Sequence, residues 1–587
     1  MPGWKYAFSL PSAAVKAATP PGTVLLIEHS TTVQNGRYVD RVVKCPLPTA
    51  SRADPLNWPA WRKAACMTSV SFYAFVSNFI SASIAPALPI WNLSFPHDPR
   101  PVKDLMGLVA FNVLLLGLSN IFWVPLSNIF GRRPVLVLST LILFVATACG
   151  TTMGGFNTTL IIRILQGIGS SASETVTPAV VGDLFFVHER GSWMAFYTAS
   201  LACGSVVGGI SGGYIANRHG WFKLFWVGAA LTGLAFACIV FLVPETSYDR
   251  GKHSLPIQQS LPRPSRYMPR TRAPVLSLRT LPSIRLTVPA RFKWPDADLG
   301  MTWYQTSSSG DLTSSSSTTP ARASKYRRFP PSSRFSGSGP QPSSFLQSLR
   351  FGAYKGHVWY HFKKPWFTLR LPATWVIMLQ YGGLVGGVAV ISTVGPQILS
   401  APPYQWAEHT GLLFVGALIG IIFGSACTAL LVDRRLKKMA KSQDHGYAEP
   451  ESRIAIMVPA LAIATCGLLV FGFCARYPGK NRWIGLEFAY GMVTFALAQV
   501  PSIWYSYLID AYSQLASDCF VMICVLRGLI PFCWTFFVDQ WIRRDGYLIP
   551  FGCFAAAMGL FSLLVVPLMY MGKRMRIATA RYVVANQ

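Results

Sequence analysis

The segment Arg163-Ile-Leu-Gln166-Gly-Ile-Gly-Ser170-Ser-Ala-Ser-Glu174-Thr-Val-Thr177 combines a cation, an amide and a carboxylate with a length suited to crossing a bilayer. At about 100° per residue, the steps from Arg163 to Glu174 return a helix almost to its starting angle. Gln166, Ser170 and Thr177 fall within about 40° of the same line. The segment therefore predicts one helix with a polar stripe, whose two charges lie roughly 16 Å apart along the axis.

A charge inside a membrane-spanning helix is costly, so it normally faces the interior of a helix bundle or a water-filled path. The stripe is therefore predicted to line such a path. The alternative is a structural stripe that grips neighbouring helices through hydrogen bonds. We favour the functional interpretation, because ionisable groups within membrane segments mark ion and substrate pathways.

The whole chain has the composition of a membrane protein. Of its 587 residues 51% are hydrophobic and only 13% are charged, which is too apolar for a soluble globular protein. The net charge of +29 does not predict nucleic-acid binding, because short cytoplasmic loops gather Lys and Arg and much of the excess lies in one central hydrophilic region. The 12 cysteines lack metal-site spacing and are predicted to be small buried hydrophobic residues, with no metal and no cofactor.

Apolar segments long enough to cross a membrane recur in two groups of six, the repeat organisation of secondary transporters. The predicted spans lie near 64–90, 105–126, 134–152, 159–182, 193–215, 222–243, 372–399, 409–432, 454–475, 483–509, 518–539 and 548–571. The fold class is therefore an all-α polytopic membrane protein with twelve transmembrane helices in two six-helix halves. The predicted regions are a cytoplasmic N-terminal segment 1–63, an N-terminal half 64–243, a largely disordered cytoplasmic linker 244–371, a C-terminal half 372–572 and a cytoplasmic tail 573–587.

The loops predict the orientation of the chain. Clusters of Lys and Arg share the side on which both termini lie, so this side is predicted to be the cytoplasm. On the other side, Asn92-Leu-Ser94 has the form of a glycosylation acceptor. Residues 247–345 are rich in Ser, Pro and Arg and predict a tether between the halves rather than a recognition domain. Residues 346–371 resemble a helix at the membrane surface leading into the seventh span.

The loop between the second and third spans carries the first family motif. Its sequence, Pro125-Leu-Ser-Asn128-Ile-Phe-Gly131-Arg132-Arg133-Pro, resembles the G-x-x-x-D-R-x-G-R-R signature of the major facilitator superfamily. Gly131 permits a tight turn, and the two arginines can bind carboxylates or helix C-termini on neighbouring spans. The motif's Asp is Asn128 here, so we expect the ionic latch of the family to lose part of its charge.

The fourth span is similar to the R-x-x-Q-G element of the same superfamily, which the resemblance associates with proton coupling. A buried Arg remains charged at any accessible pH, so Arg163 is predicted to act as a fixed charge beside a carboxylate or an anion. Glu174 is predicted to be the titrating group, because burial makes the charged form of a carboxylate costly.

Glycines recur every four residues in the fifth span, at Gly204, Gly208 and Gly212, and predict a groove for a closely packed neighbouring helix. The run resembles the antiporter element of the drug:proton antiporter branch, with Gly209 in place of its Pro. Further matches to fungal members of this branch extend over most of the chain outside the linker, including Asp54-Pro-Leu-Asn-Trp58 and Val243-Pro-Glu245-Thr246.

The second half contains aromatic and amide side chains that could line a substrate cavity and offer stacking or cation–π contact to an organic cation. The candidates, beside Gln166 and Ser170 of the fourth span, are Gln380, Tyr381, Gln397, Trp504 and the intramembrane cation Arg527. No GxxxxGK[ST] or HExxH motif occurs in the sequence, and its one GxSxG match, Gly209-Ile-Ser-Gly-Gly213, lies inside the predicted fifth span rather than at a strand-to-helix elbow, so an enzyme or an ATP-driven pump is not predicted.

The sequence therefore predicts a monomeric, proton-linked exporter of small amphipathic or cationic organic compounds, with the plasma membrane favoured over the vacuolar one. Its predicted partners are the substrate, protons and the lipid bilayer. Two alternatives remain open at this point. One is uptake of a nutrient or polyamine by symport or facilitation, and the other is a non-transporting sensor of transporter ancestry.

Overall fold

A computed structural model describes residues 2–18, 20–34, 37–49, 51, 53–152, 154–248, 250, 358–442 and 447–585 of the chain. Most of these residues are helical. The α-helices are α1 Pro2–Ser9, α2 Ser12–Ala17, α3 Ala60–Ser83, α4 Trp91–Ser94, α5 Val102–Leu118, α6 Asn120–Phe130, α7 Arg132–Cys149, α8 Phe156–Leu184, α9 Val187–His219, α10 Trp221–Leu242, α11 Val358–Phe367, α12 Pro372–Ser400, α13 Leu413–Ser442, α14 Val458–Arg476, α15 Arg482–Tyr512, α16 Ala516–Asp545, α17 Leu548–Leu563 and α18 Val565–Ala585.

Short strands and 3₁₀ turns complete the described structure. The strands are β1 Val24–Leu25, β2 Ile27–Gln34, β3 Arg37–Val42 and β4 Tyr447–Ala448, and they form the antiparallel pairs β1–β4 and β2–β3. The 3₁₀ helices are Pro55–Asn57, Ala85–Ile90, Gly150–Thr152, Thr368–Arg370, Ala407–Leu412, Pro450–Ile456 and Ser513–Leu515.

The predicted twelve-helix architecture is confirmed. Among the described residues, 11 helical segments are long and apolar enough to cross a membrane, and α8, which carries the polar stripe, is the twelfth long helix. Helices α3 to α10 form the N-terminal half and α12 to α18 form the C-terminal half. Buried hydrophobic side chains of both halves join in one continuous cluster. We call the end of the bundle where α3 begins and α18 ends the terminal end.

Several predicted boundaries differ from the observed ones for local reasons. The first span is an α-helix only to Ser83, because Pro86 follows and the chain continues as the 3₁₀ helix Ala85–Ile90. The last span does not end at 571, since α18 extends to Ala585 and includes most of the predicted tail. Helix α11 lies near the end of the predicted linker, whereas residues 251–357 lie outside the described residues.

The glycine run of α9 packs directly on α3. A Cβ atom added at Gly204, Gly208 or Gly212 would lie 2.0–2.4 Å from a backbone carbonyl oxygen of α3. The two backbones are therefore too close for any side chain at these positions. A second run on α13, at Gly416 and Gly420, meets carbonyl oxygens of α15 at 2.2–2.3 Å in the same way. This second run was not predicted from the sequence.

Substitution of the close-packed glycine should separate α3 from α9. We expect Gly208→Ala to lower the free energy of unfolding by about 1–3 kcal/mol, because its Cβ would lie 2.4 Å from the Phe79 carbonyl oxygen. Gly213→Ala on the same helix is the matched control, since its nearest neighbour is 3.5 Å away. Thermal unfolding of the detergent-solubilised variants measures both, and equal melting temperatures would contradict the close packing.

Asp54 fixes the segment that precedes α3. Its side chain is fully buried, accepts hydrogen bonds from the backbone N–H groups of Thr49 (3.0 Å) and Leu56 (3.1 Å), and pairs with Arg250 at 3.2 Å. Burial alone raises the pKa of Asp54, but the two hydrogen bonds and the charge of Arg250 outweigh it and hold the pKa below its usual value.

A depressed pKa in the folded state gives stability that is fully present above the usual pKa of Asp, about 3.9, and is lost as the pH falls through the folded-state value. Asp54→Asn should therefore lower the free energy of unfolding by about 1–3 kcal/mol at neutral pH, and the difference from the wild type should shrink below about pH 4. Melting temperatures across pH test this, with the exposed Asp104→Asn as control. A difference that is constant with pH would contradict the assignment.

Candidate functional site

A buried ion pair joins the two halves near the middle of the bundle. Glu174 of α8 and Arg527 of α16 are 0% and 6% exposed, and the Arg527 guanidinium contacts the Glu174 carboxylate. Glu174 lies ten residues before the last residue of α8, and Arg527 lies eleven residues after the first residue of α16. Both of these helix ends are at the terminal end of the bundle, so each charge lies about 15 Å from it. Apart from Arg527, neither carboxylate oxygen of Glu174 has a hydrogen-bond donor among the described residues.

One aromatic ring contacts the cationic member of the pair, and three more rings continue from it. The Arg527 guanidinium lies over the ring of Tyr381, 5.1 Å from its centroid. The ring of Tyr505 meets Tyr381 edge-on at 6.1 Å and Phe520 at 4.9 Å, and it lies 6.4 Å from Tyr197 of the other half. The rings form a wall that can stabilise a cation through its π faces.

Two further predicted cavity residues meet beside this wall. The indole N–H of Trp504 donates to the side-chain oxygen of Gln380 at 2.9 Å, and the Gln380 amide donates to the Phe561 carbonyl at 3.0 Å. Gln397 lies on the same helix as Tyr381 but sixteen residues further on, about 24 Å along the axis. The structure therefore pairs Gln380 with Trp504 and Tyr381 with Arg527, and it places Gln397 away from both pairs.

Arg163 occupies a separate position on the polar stripe. It is fully buried and donates to the backbone carbonyls of Leu108 (3.1 Å), Ile80 (3.0 Å) and Ser81 (2.8 Å), and to the side chain of Gln166 at 3.0 Å. Ile80 and Ser81 belong to the last turn of α3, where carbonyl groups lack helical partners. Among the described residues no carboxylate pairs with Arg163, so its charge is balanced by carbonyl dipoles.

Two further stripe residues, Gln166 and Ser170, lie between Arg163 and Glu174. Gln166 donates to the Thr147 hydroxyl at 3.2 Å, and Ser170, one turn before Glu174, is buried. The helix itself was predicted from this stripe, but the partner of Glu174 was not. Arg527 was recognised only as an intramembrane cation, because no local pattern in a single sequence indicates which distant side chain it meets.

Three other buried hydroxyl groups lie near Glu174 or near the aromatic residues of α15 in the chain. Thr177 follows Glu174 by one turn of α8, while Ser502 and Ser506 flank Trp504 and Tyr505 on α15. In the part of the chain that the structure describes, the hydroxyl oxygens of these three residues are buried and have no hydrogen-bond partner. Such groups are available to a polar substrate or to water.

The signature loop lies at the terminal end and is held by carboxylates. Gly131 has a φ of 103°, and the backbone N–H groups of Arg132 and Arg133 donate to Glu245 at 3.0 and 3.2 Å. The Arg132 side chain donates to the Asn128 amide oxygen at 2.8 Å and lies 3.7 Å from Asp183. Gly131 is therefore required for the backbone conformation of the turn.

The neutral Asn128 still faces a carboxylate at this loop. Its amide donates to Asp518 of α16 at 3.4 Å, and the Arg132 guanidinium is 3.5 Å from the Ser517 hydroxyl. The carboxylate that the motif loses at position 128 is thus present on the facing helix of the other half.

A second cluster of charges joins the halves nearby. Asp510, at the end of α15, pairs with Arg190 at the start of α9 and with Arg453 at 3.3 Å. Asp433 of α13 accepts hydrogen bonds from the backbone N–H and the hydroxyl of Ser192, at 3.0 and 2.7 Å. These contacts close the terminal end between the two halves.

The opposite end also carries contacts between the halves and the predicted glycosylation site. The Tyr214 hydroxyl lies 3.1 Å from the ring nitrogen Nδ1 of His409. Asn92 is exposed on the short helix α4, and its amide oxygen accepts a hydrogen bond from the backbone N–H of Arg100 at 3.0 Å. Glycosylation of Asn92 stays a prediction.

Two six-helix halves joined by a buried ion pair, with closed contacts at both ends, define a polytopic membrane protein of the transporter class. The Major Facilitator Superfamily profile matches residues 70–518. The chain belongs to this superfamily, whose members are transporters of small molecules, and it is a multi-pass integral membrane protein.

Fungal transporters resemble the chain over most of its length. Protein HOL1 of Saccharomyces cerevisiae is 24% identical over 558 residues, covering 92% of this chain and 91% of that protein. Efflux pump FUB11 of Gibberella moniliformis is 23% identical over 491 residues, covering 82% of this chain and 68% of that protein.

Solved structures share the fold at low sequence identity. The proton:xylose symporter XylE superposes with a TM-score of 0.54 at 13% identity, covering 87% of this chain and 96% of that one. The human organic anion transporter MFSD10 gives a TM-score of 0.50 at 15% identity, covering 86% and 100%.

The carbonyl contacts of Arg163 predict that Lys cannot replace it. A lysine ammonium is a compact charge without the planar fork that reaches α3 and α5 at once, so Arg163→Lys should lower the free energy of unfolding by about 2–4 kcal/mol. Arg218→Lys at the exposed end of α9 is the control. Thermal unfolding measures both, and a wild-type melting temperature for Arg163→Lys would contradict this interpretation.

Proposed function

We propose that the protein exports small amphipathic or cationic organic compounds in exchange for protons, by alternating access between its two halves. The observation that carries this proposal is the ion pair of Glu174 and Arg527, which joins the halves at mid-depth. We further propose that the protein acts as a monomer in the plasma membrane, with the Arg-rich terminal end in the cytoplasm.

Protonation of Glu174 would change the energy of the contact between the halves. A buried charge that loses its partner costs about 3–5 kcal/mol, so Arg527 without a charged Glu174 favours a rearrangement that exposes or re-pairs it. The charged pair therefore favours the closed arrangement, and the protonated carboxyl favours separation of α8 from α16. This dependence on the proton is what alternating access needs for coupling.

A cationic substrate would compete with the proton for the same carboxylate. Glu174 can hold a proton or balance a positive charge, but it cannot do both, which makes exchange the simplest outcome. The ring of Tyr381 already accepts the Arg527 guanidinium on its π face, so it could accept the cationic group of a substrate. The buried hydroxyls of Ser502 and Ser506 could bind polar groups of the same molecule.

The export direction is supported by relatives that are named as efflux pumps, such as FUB11. Arg163 contributes to the proposed coupling region by fixing α8 against α3 and α5 rather than by contacting Glu174. Uptake by symport would use the same carboxylate, but proton and substrate would then have to bind together.

The coupling role of Glu174 predicts a specific loss. Glu174→Gln should abolish proton movement linked to substrate flux, because the amide cannot titrate, while the protein still inserts and folds. The variant is reconstituted into vesicles that contain a pH-sensitive dye. Uptake of a lipophilic organic cation that the wild type transports gives the substrate flux, and the dye gives the proton flux. Glu189→Gln, exposed at the terminal end, is the control.

The same assay distinguishes the directions of coupling. An imposed proton gradient should drive the organic cation against the direction of proton flow for exchange, and with it for symport. Wild-type pH dependence in Glu174→Gln would reject Glu174 as the proton carrier. A proton gradient that drives no flux while the substrate still binds would reject the exchange proposal.

A further inference from the structure

The N-terminal segment before α3 is attached to the C-terminal half. Strand β1 pairs with β4, the strand that follows α13, with Val24 opposite Ala448 and Leu25 opposite Tyr447. The next residue, Leu26, is fully buried. It belongs to a small hydrophobic cluster with Ile27, Val187, Leu436, Ala440 and Ala448. Burial of two large aliphatic side chains is a substantial anchor for a segment outside the bundle.

A second attachment to the C-terminal half lies just before β1. Gly22 has a φ of 90°, and a Cβ atom there would lie 2.7 Å from the Ala511 Cα and 2.8 Å from the Asp510 carbonyl oxygen. The Arg576 side chain donates to the Pro21 carbonyl at 2.8 Å and is itself held by Glu451 through two bonds of 2.7 Å. The backbone at Gly22 thus rests directly on the end of α15.

The same segment is attached to the N-terminal half further along. The Cys45 carbonyl accepts a hydrogen bond of 2.9 Å from the backbone N–H of Val187, the first residue of α9. That N–H has no partner within its own helix. The Thr49 hydroxyl and the Tyr248 hydroxyl are 3.2 Å apart, which adds a contact to the segment that directly follows α10. We call residues 20–27 and 43–49 the N-terminal strap.

The strap lies on the charge cluster that closes the terminal end. Gly22 touches Asp510, which pairs with both Arg190 and Arg453. Cys45 binds the N–H of Val187, and Arg453 donates to the carbonyl of the same Val187 at 2.8 Å. Separation of the halves at this end would therefore have to break strap contacts together with the ion pairs.

We propose that the N-terminal strap is a working part of the gate at the terminal end: it holds the two halves together there and must release one of them before that end opens. The strap sets how often the terminal end opens, not what passes through it. The proposal does not depend on the substrate or on proton coupling, because it concerns only the equilibrium between closed and open arrangements.

The test measures the separation of the halves directly in the full chain. Spin labels introduced as noncanonical amino acids at Glu189 and Lys438 leave the native cysteines in place, and both positions are exposed. They lie on different halves, on either side of the Ser192–Asp433 contact. Distances between the labels, measured by pulsed electron resonance in lipid nanodiscs, give the proportions of closed and open molecules.

Gly22→Ala is the decisive variant, because its Cβ would collide with the backbone of α15. Gly220→Ala is the matched control, since Gly220 has a similar φ of 83° but no atom within 4 Å of the added Cβ. We expect Gly22→Ala to raise the ratio of open to closed molecules about three- to tenfold, and deletion of residues 2–49 to raise it at least as much. Gly220→Ala should match the wild type.

Gly22→Ala adds a single methyl group to the full chain. The test therefore remains decisive even if the variant that lacks residues 2–49 does not fold. Size-exclusion profiles and far-ultraviolet dichroism establish that each labelled variant is intact. Wild-type distances in an intact Gly22→Ala variant would overturn the proposal, as would equal shifts in Gly22→Ala and Gly220→Ala, which would assign the effect to backbone strain alone.

Discussion

A buried carboxylate and a buried guanidinium from different halves of a membrane protein are stable only while they remain together. Glu174 and Arg527 are such a pair, and among the described residues the Glu174 carboxylate has no hydrogen-bond donor besides Arg527. Leaving one charge unpaired would cost about 3–5 kcal/mol, which is comparable to the whole energy difference between two functional conformations. Any movement that separates α8 from α16 must therefore neutralise Glu174 or supply another cation.

The packing around the pair confines this movement to the junction of the halves. Within the N-terminal half, α9 lies against α3 with no room for a side chain at Gly204, Gly208 or Gly212. Within the C-terminal half, α13 lies against α15 at Gly416 and Gly420 in the same manner. Arg163 adds hydrogen bonds from α8 to α3 and α5. Each half is thus a tightly packed body, and the halves meet through hydrophobic packing as well as through polar contacts.

Polar contacts at the terminal end join the two halves at a second level, apart from the pair of Glu174 and Arg527. Asp510 binds arginines of both halves, and the neutral Asn128 of the signature loop faces Asp518 across the junction. The carboxylate that is absent from position 128 is therefore provided by Asp518 of the C-terminal half. The N-terminal strap covers the same region, so one ion pair at mid-depth and one layer of ion pairs at the terminal end resist separation together.

The sequence predicted the helices well because hydrophobic length and periodicity are local. The fourth span was predicted at 159–182 and is observed as α8, Phe156–Leu184, so its boundaries agree to within a few residues. The two groups of six spans predicted the two halves. The pairing of Glu174 with Arg527 could not be predicted, since it depends on how two distant helices meet. The two-residue strand β1 and its partner β4 also carry no local signal. Residues 1–63 were consequently predicted only as a polar cytoplasmic segment.

We propose that Glu174 changes its protonation state during the transport cycle. Infrared difference spectroscopy of the reconstituted protein, recorded between neutral and acidic pH, observes the carbonyl stretch of a protonated carboxyl group directly. We predict a band that grows on acidification, shrinks when a transported cation is added, and is missing from Glu174→Gln. A difference spectrum that is identical in the wild type and Glu174→Gln would show that Glu174 does not change its protonation state.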